Sequence, residues 1–317
     1  MNVKMKYGEK EVSFDIEGAS KIEYLYENEM PHIEDIEKTF YRAVEEDVIG
    51  DKPLKELVAP EDMITIVISD LTRFWMKQDI ITELLVKYLE NLGVKDENIV
   101  VLVALGTHRE QTQDELEKLA SPYVYSKVKV VNHDCDANDL VTLGTTSRGT
   151  VVEVNPLVVG RKVIIVGGTV HHLMAGYGGG RKSILPGICS RETISKNHSM
   201  ALSPVLPKSN DLIGSGKLAM NPIHEDMDEA AEMVKPIFGI NIVVNSKRKH
   251  SGIFCGDFMK AWLESCKFCQ KYYGVPIKHE ADIVIVSCGG YPKDINLYQG
   301  VKTLTNAINA LKKGGIC

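Results

Sequence analysis

The sequence predicts an α/β protein of two domains with mostly parallel sheets of βαβ units. Three observations carry that expectation. Short β-branched runs alternate with amphipathic helical stretches at the spacing that parallel strands with crossover helices require. Polar, glycine-rich and histidine-bearing segments follow the predicted strands, where ligands sit in open α/β sheets. The chain has 317 residues, 44% hydrophobic and 25% charged, enough to bury a sizeable core and too many for one small module.

Taken in order, residues 2–16 alternate at period two around Tyr7-Gly8-Glu9-Lys10 and read as a β-hairpin. A helix over 33–46 precedes a β-branched strand over 63–69. A helix over 79–92, a strand over 99–104, a helix over 113–119 and a strand over 127–131 continue the alternation. The pattern resumes with a strand over 162–166, a glycine-rich passage and a helix beginning near Ser190. Then come a strand over 240–245, a helix over 257–273, a strand over 281–287 and a helix over 298–313. Gly314-Gly315-Ile316-Cys317 reads as the start of another strand. The expected division is therefore an N-terminal domain over 1–260 and the beginning of a C-terminal α/β domain over 261–317 that the sequence leaves incomplete.

Composition narrows the function classes. Lys+Arg number 37 against 43 Asp+Glu, a formal net charge of −6, and no long stretch runs to one sign, which argues against a surface for nucleic acid. The N-terminus has no basic start, apolar block or small-residue cleavage site, and no run approaches the roughly eighteen apolar residues of a membrane helix. The seven cysteines are odd in number and scattered, a pattern of reduced thiols. A soluble cytoplasmic protein is expected.

The chemistry-bearing residues gather at strand ends. The strand over 63–69 runs into Asp70-Leu71-Thr72-Arg73, that over 99–104 into Gly106-Thr107-His108-Arg109, and that over 162–166 into Gly167-Gly168-Thr169-Val170-His171-His172. Gly176-Tyr177-Gly178-Gly179-Gly180-Arg181-Lys182-Ser183 invites comparison with the phosphate loop, G-x-x-x-x-G-K-[ST], but Arg181 stands where the second glycine is required. A Walker-type nucleotide-binding phosphotransferase is thereby disfavoured, although such a loop can still hold an anion on its amides. Arg181 has a second implication, since a neighbouring cation lowers a lysine pKa and frees the amine as a nucleophile. No H-E-x-x-H or paired C-x-x-C occurs, and the lone Cys266-Lys267-Phe268-Cys269 reads as buried thiols on a helix face rather than a zinc site.

Taken together, Asp70-Leu71-Thr72-Arg73, Gly106-Thr107-His108-Arg109, His172 through Lys182, Pro186-Gly187, Thr193-Ile194, Asn197-His198 and Tyr298-Gln299-Gly300-Val301-Lys302 resemble the nickel-dependent lactate racemase family, in order and with matching spacing from about residue 10 to the end. The resemblance implies a racemase or epimerase of a 2-hydroxy acid, working by proton-coupled hydride transfer to a nickel pincer nucleotide. That cofactor, a Ni(II) pyridinium-3,5-bisthiocarboxylic acid mononucleotide, would be attached covalently at Lys182, with His198 as the protein ligand to nickel. Imidazole and soft sulfur in a planar set suit Ni(II). By the same resemblance, Asp70, Leu71, Thr72 and Arg73 would hold the nucleotide, and Arg73, Gln299 and Lys302 the substrate. His108 and His172 would be the two acid/base groups, one for each enantiomer, with imidazole pKa near operating pH. Gln299 and Lys302 fall in the second domain, so the site is expected at a domain interface. The implied partners are the small-molecule substrate and the cofactor-making enzymes. Ser183-Ile184-Leu185 after the lysine and the extra cations Arg181 and His171 depart from lactate-specific members and favour a larger or more acidic substrate. The alternatives carried forward are the phosphotransferase and a non-catalytic protein that binds the cofactor without turnover.

Overall fold

The computed structural model describes residues 1–317 except Leu206, Pro292, Lys293 and Ile295, and describes Tyr298 and Gln299 without their side chains. Its strands are β1 (Asn2–Tyr7), β2 (Lys10–Asp15), β3 (Ile64–Ser69), β4 (Ile99–Ala104), β5 (Lys129–Asn132), β6 (Val141–Thr145), β7 (Val151–Val154), β8 (Lys162–Gly168), β9 (His171–His172), β10 (Gly176–Tyr177), β11 (Phe238–Val244), β12 (His250–Gly256), β13 (Ala281–Ile283) and β14 (Leu311–Ile316). Its α-helices are α1 (Ile36–Glu45), α2 (Leu54–Leu57), α3 (Gln78–Asn91), α4 (Gln113–Ala120), α5 (Pro122–Lys127), α6 (Arg191–Ser199), α7 (Pro222–Val234), α8 (Lys260–Tyr273) and α9 (Leu297–Ala307).

The chain forms two compact units, residues 29–271 and residues 1–28 with 272–317. This division differs from a boundary at 260 in two ways. The opening hairpin groups with the C-terminal segment, where Tyr291 N–H donates to the Gly8 carbonyl. Helix α8 stays with the larger unit because Trp262, Cys266 and Cys269 bury one of its faces there.

The larger unit is built on a six-stranded sheet of order β12-β11-β8-β3-β4-β5, parallel except for β12. Strands β3 (ITIVIS) and β4 (IVVLVA) are buried for five consecutive residues each, as sheets covered on both faces demand. Alternate side chains divide into two cores. Ile64, Ile66 and Ile68 join Val101, Ile164 and Ile240 on one face, and Val67 joins Leu102, Ile165, Ile188 and Met227 on the other. The chain proceeds from β3 outward through β4 to β5, then returns to β8 on the opposite side of β3. The order therefore reverses between β3 and β8, the crevice where ligands bind in doubly wound sheets.

The smaller unit pairs β1 with β2 antiparallel and β13 with β14 parallel, with α9 between the latter two in sequence. Two expectations are corrected here. Strand β13 covers only the start of the 281–287 run, and the last helix stops at Ala307, followed by a short 3₁₀ turn and β14 from Leu311, so a helix through Lys313 overran. Lysines at 312 and 313 extend a helical pattern in composition, but Gly314, at φ +84°, and Gly315 favour the extended course actually taken.

Candidate active site

Each strand end on one edge of the large sheet delivers a polar side chain. After β3 the chain enters a 3₁₀ turn over Leu71–Met76, and Arg73 N–H donates to the Asp70 carbonyl to close it. The buried Asp70 carboxylate accepts from Thr72 Oγ1 at 2.7 Å and faces His108 Nδ1 at 2.5 Å. An ionised carboxylate only accepts, so His108 donates from Nδ1 and keeps a lone pair on Nε2. The His108 side chain is 50% exposed against 5% for Asp70, so the carboxylate anchors the ring from beneath while the rest of it faces outward. Arg73 Nη1 donates to Thr72 Oγ1 at 2.8 Å, and its half-buried guanidinium has no ion pair among the described residues. The Leu71 side chain packs on the core, and its N–H donates to Gln111 Oε1.

The passage after β8 doubles back as the short β9–β10 ladder, then makes a 3₁₀ turn over Gly180–Ser183. His172 Nδ1 accepts from Met174 N–H at 3.3 Å and Ala175 N–H at 3.1 Å. Those donors fix the opposite tautomer from His108, with the proton on Nε2. Burial, followed by the charges of Lys182, Arg73, Arg181 and His198, holds its pKa well below the ordinary imidazole value. Lys182 is pushed down to about 7 by burial and then by the Arg181 and Arg73 guanidiniums, and its ammonium makes no hydrogen bond or ion pair among the described residues. His198 donates from Nδ1 to the Ile194 carbonyl at 3.0 Å, leaving Nε2 free, and burial with the Lys182 charge lowers its pKa to about 4.

Sequence-local chemistry explains why these side chains are held. Ser190 caps α6, whose last turn carries His198. Gly106 N–H donates to the Gly187 carbonyl at 2.9 Å, tying the His108 turn to the segment after Lys182. Gly180, at φ +52°, lies flat on the indole of Trp262, where a Cβ would fall 2.5 Å from the ring. The Trp262 indole N–H donates to the Gly178 carbonyl. Helix α8 is thus the floor of the lysine-bearing loop.

The structure brings together Asp70, Thr72, Arg73 and His108 through direct contacts, and His172, Lys182 and His198 with Arg73 through their mutual fields. Lys302 lies half-buried on α9 in the smaller unit, and the Gln299 side chain lies outside the described residues. Two substrate-selecting cations are corrected. Arg181 is fully buried, with its guanidinium on the Trp262 ring at 3.8 Å, donating to His224 Nδ1 and to the Ala175 and Tyr177 carbonyls and ion-paired with Asp228. His171 is bound through Nε2 to Gln270 and stacks on Tyr177. Neither offers a free charge to a second carboxylate. Cys266 and Cys269 are buried thiols whose pKa burial raises, as their helical spacing predicts.

Three contributors escape a reading of strand ends alone. Gln111 clamps the β3 and β4 turns by also donating to the Arg109 carbonyl. Trp262 carries the glycine loop. Asp226, fully buried on α7, accepts from Thr146, Thr150 and Asn197, and so anchors the residue beside His198. Only Asn197-His198 was marked by sequence, because the partners come from distant segments.

Fold and site together define a doubly wound α/β protein whose sheet edge carries two differently tautomerised imidazoles, with Lys182 held near His172 and His198. The lactate racemase N-terminal domain model matches residues 7–207 and the C-terminal domain model residues 277–317. The chain is 33% identical to a lactate racemase of Thermoanaerobacterium thermosaccharolyticum over 99% of its own length and 73% of that protein's. It is 35% identical to a lactate racemase of Lactiplantibacillus plantarum over 92% of its length and 66% of the relative's. The solved lactate racemase apoprotein of T. thermosaccharolyticum superposes with a TM-score of 0.88 at 34% identity, covering all of this chain and 73% of that one. The chain belongs to the lactate racemase family. No helix among the described residues is long and apolar enough to cross a membrane.

Proposed function

We propose that the chain racemises a 2-hydroxy acid of the lactate class and carries a nickel pincer nucleotide on Lys182. The observation that carries this reading is the Lys182 amine, its pKa lowered to about 7 and without a partner among the described residues, set near His172 and His198, whose tautomers are fixed by their surroundings. A neutral amine can be acylated at physiological pH. His198 fits the metal, because its Nδ1–H is already committed and Nε2 presents a lone pair. The Asp70–Arg73 turn supplies the Arg73 cation and the Thr72 hydroxyl for the nucleotide or the substrate carboxylate. When bound, the group supplies a reversible acceptor for the hydrogen and electron pair leaving the substrate's C2.

The residues of this chain handle protons. His108 takes the substrate hydroxyl proton at Nε2, and Asp70 stabilises the resulting imidazolium. His172 serves the other enantiomer as an imidazolium that donates from Nε2 to the alkoxide, a state in which Nδ1 also carries a proton and releases the Met174 and Ala175 N–H groups. Exchange of the imidazolium state between the two rings reverses the reaction. The hydroxy acid, the cofactor-making enzymes as partners and a cytoplasmic location follow from the family rather than from geometry. Gln299 and Lys302 remain part of this proposal as substrate ligands. With Arg181 and His171 both occupied, lactate is preferred to a diacid. The phosphotransferase reading weakens because the glycine loop enters a four-residue 3₁₀ turn, without a long helix behind its amides.

The test is intact mass and nickel content of protein co-produced with the cofactor-making enzymes, beside Lys182→Ala, followed by chiral analysis of D- and L-lactate and a hydroxy-acid panel. A nickel-bearing adduct on the wild type alone, with interconversion of enantiomers, is expected. Unmodified wild-type protein under conditions that load a known family member would reject the Lys182 assignment, and a loaded protein with no turnover would favour the non-catalytic reading.

A further inference from the structure

The β11–β12 hairpin ends in Asn245-Ser246-Lys247-Arg248-Lys249, a triplet of exposed cations in a chain of net charge −6. Its tip is well built. Asn245 Oδ1 accepts from the Lys247 and Lys249 amides, and Arg248 N–H donates to the Asn245 carbonyl, with Arg248 left-handed at φ +56°. Lys247, Arg248, Lys249 and nearby Lys77 form no ion pair within 4 Å among the described residues, and the carboxylate whose field Lys77 bears on, that of Asp79, is itself half-buried. The tip also lies at the functional edge. Strand β11 runs parallel to β8, so its C-terminal end stands beside the end that leads to His172. The 3₁₀ turn that begins after Asp70 and carries Arg73 reaches across to this hairpin, where His250 Nε2 donates to the Met76 carbonyl at 2.8 Å and the Lys77 charge bears on His250.

We propose that Lys77, Lys247, Arg248 and Lys249 form a cationic rim that concentrates small carboxylate and phosphate anions at the mouth of this site. The rim acts through space rather than by contact, and it rests on the location of the site and not on the cofactor chemistry proposed above. Unpaired charges of one sign beside a low-dielectric edge raise the local concentration of counter-ions and the association rate, an effect that salt suppresses.

The experiment compares the wild-type chain with Lys247→Glu/Lys249→Glu, whose turn is held by backbone amides and so survives the change. Relaxation enhancement of backbone amides by the anionic nitroxide 3-carboxy-PROXYL, against its cationic amino analogue, reads local anion enrichment without any activity. The amides of Arg73, Lys77 and Thr169 should show enrichment that falls about two- to threefold in the variant at low salt and converges with wild type near 0.5 M salt, by which point screening lengths are a few ångströms. Equal enrichment in the two proteins overturns the proposal. In loaded enzyme, kcat/KM for lactate should fall about three- to tenfold at low salt with kcat unchanged, whereas loss of kcat would show the hairpin to be structural and also overturn it. Because the nitroxide arm needs no cofactor, failure of the racemase reading leaves that arm able to decide.

Discussion

His108 and Asp70 are joined nitrogen to oxygen at 2.5 Å, while His172 receives two backbone N–H groups at the equivalent nitrogen. The two imidazoles are therefore unequal at rest, one presenting a lone pair at Nε2 and the other a hydrogen-bond donor. Asp70→Asn keeps the shape but removes the acceptor that fixes the tautomer and supports the imidazolium. It should lower kcat/KM about 100- to 1000-fold in loaded enzyme. The adduct mass should be unchanged, which separates this effect from failure to load.

The acidity of Lys182 predicts its reactivity. Labelling by a small amine-directed acylating reagent, read at this residue by peptide mass spectrometry, should follow a titration near pH 7 where exposed lysines follow one above 10. Arg73→Met removes one of the two cations facing it and should move that midpoint upward. A midpoint unchanged in Arg73→Met would mean that burial and Arg181 alone set it.

His198 and His172 have folded pKa values below their unfolded ones, so unfolding takes up protons as pH falls. Their contribution is full above about pH 6.5 and is lost as pH drops toward the folded value, about 4 for His198. Stability from urea titrations should decline between pH 6.5 and 4, and His198→Gln should flatten that decline by on the order of 2 kcal/mol. Lys182 acts in a higher window. Its lowered value makes stability rise with pH from about 7 to 10.5, a slope that Lys182→Met should abolish.

The loop's floor leaves no room for a methyl group. Gly180→Ala introduces a Cβ against the Trp262 ring at a left-handed φ, and should cost about 2–4 kcal/mol in thermal or urea unfolding. Trp262→Phe, which keeps the ring but loses the indole N–H to Gly178, should cost about 1 kcal/mol.

Much of this architecture was legible in sequence where one physical signal dominates. Strand β4 matches its expected residues and β3 starts one residue late, because continuous β-branched runs have few alternatives to burial in a parallel sheet. Helix α7 and strand β12 went unread although Asn221-Pro222 and the Ile223, Met227, Ala230 spacing mark a capped amphipathic helix. In β12, glycine, serine and cysteine dilute the pattern, and only the tertiary pairing with β11 makes it a strand. In the site, Asp70, His108 and His172 follow β3, β4 and β8 as the strand ends predict. The inward course of Arg181 does not follow from them, since whether a guanidinium faces substrate or an indole depends on Trp262 and Asp228, which lie far along the chain.

The reversal of strand order between β3 and β8 also has a meaning for folding. Asp70 and His108 lie 38 residues apart and meet once β3 pairs with its sequence neighbour β4. Lys182 and His198 arrive only after β8 has come back past β4 and β5 to the far side of β3, a pairing of much greater sequence separation and slower expected formation. A nascent chain would thus form its Asp70–His108 pair before Lys182 is enclosed. Until that last closure Lys182 stays solvated and protonated, so its reactivity switches on with completion of the sheet, and under the function proposed above an unfinished molecule would be a poor acceptor for the cofactor.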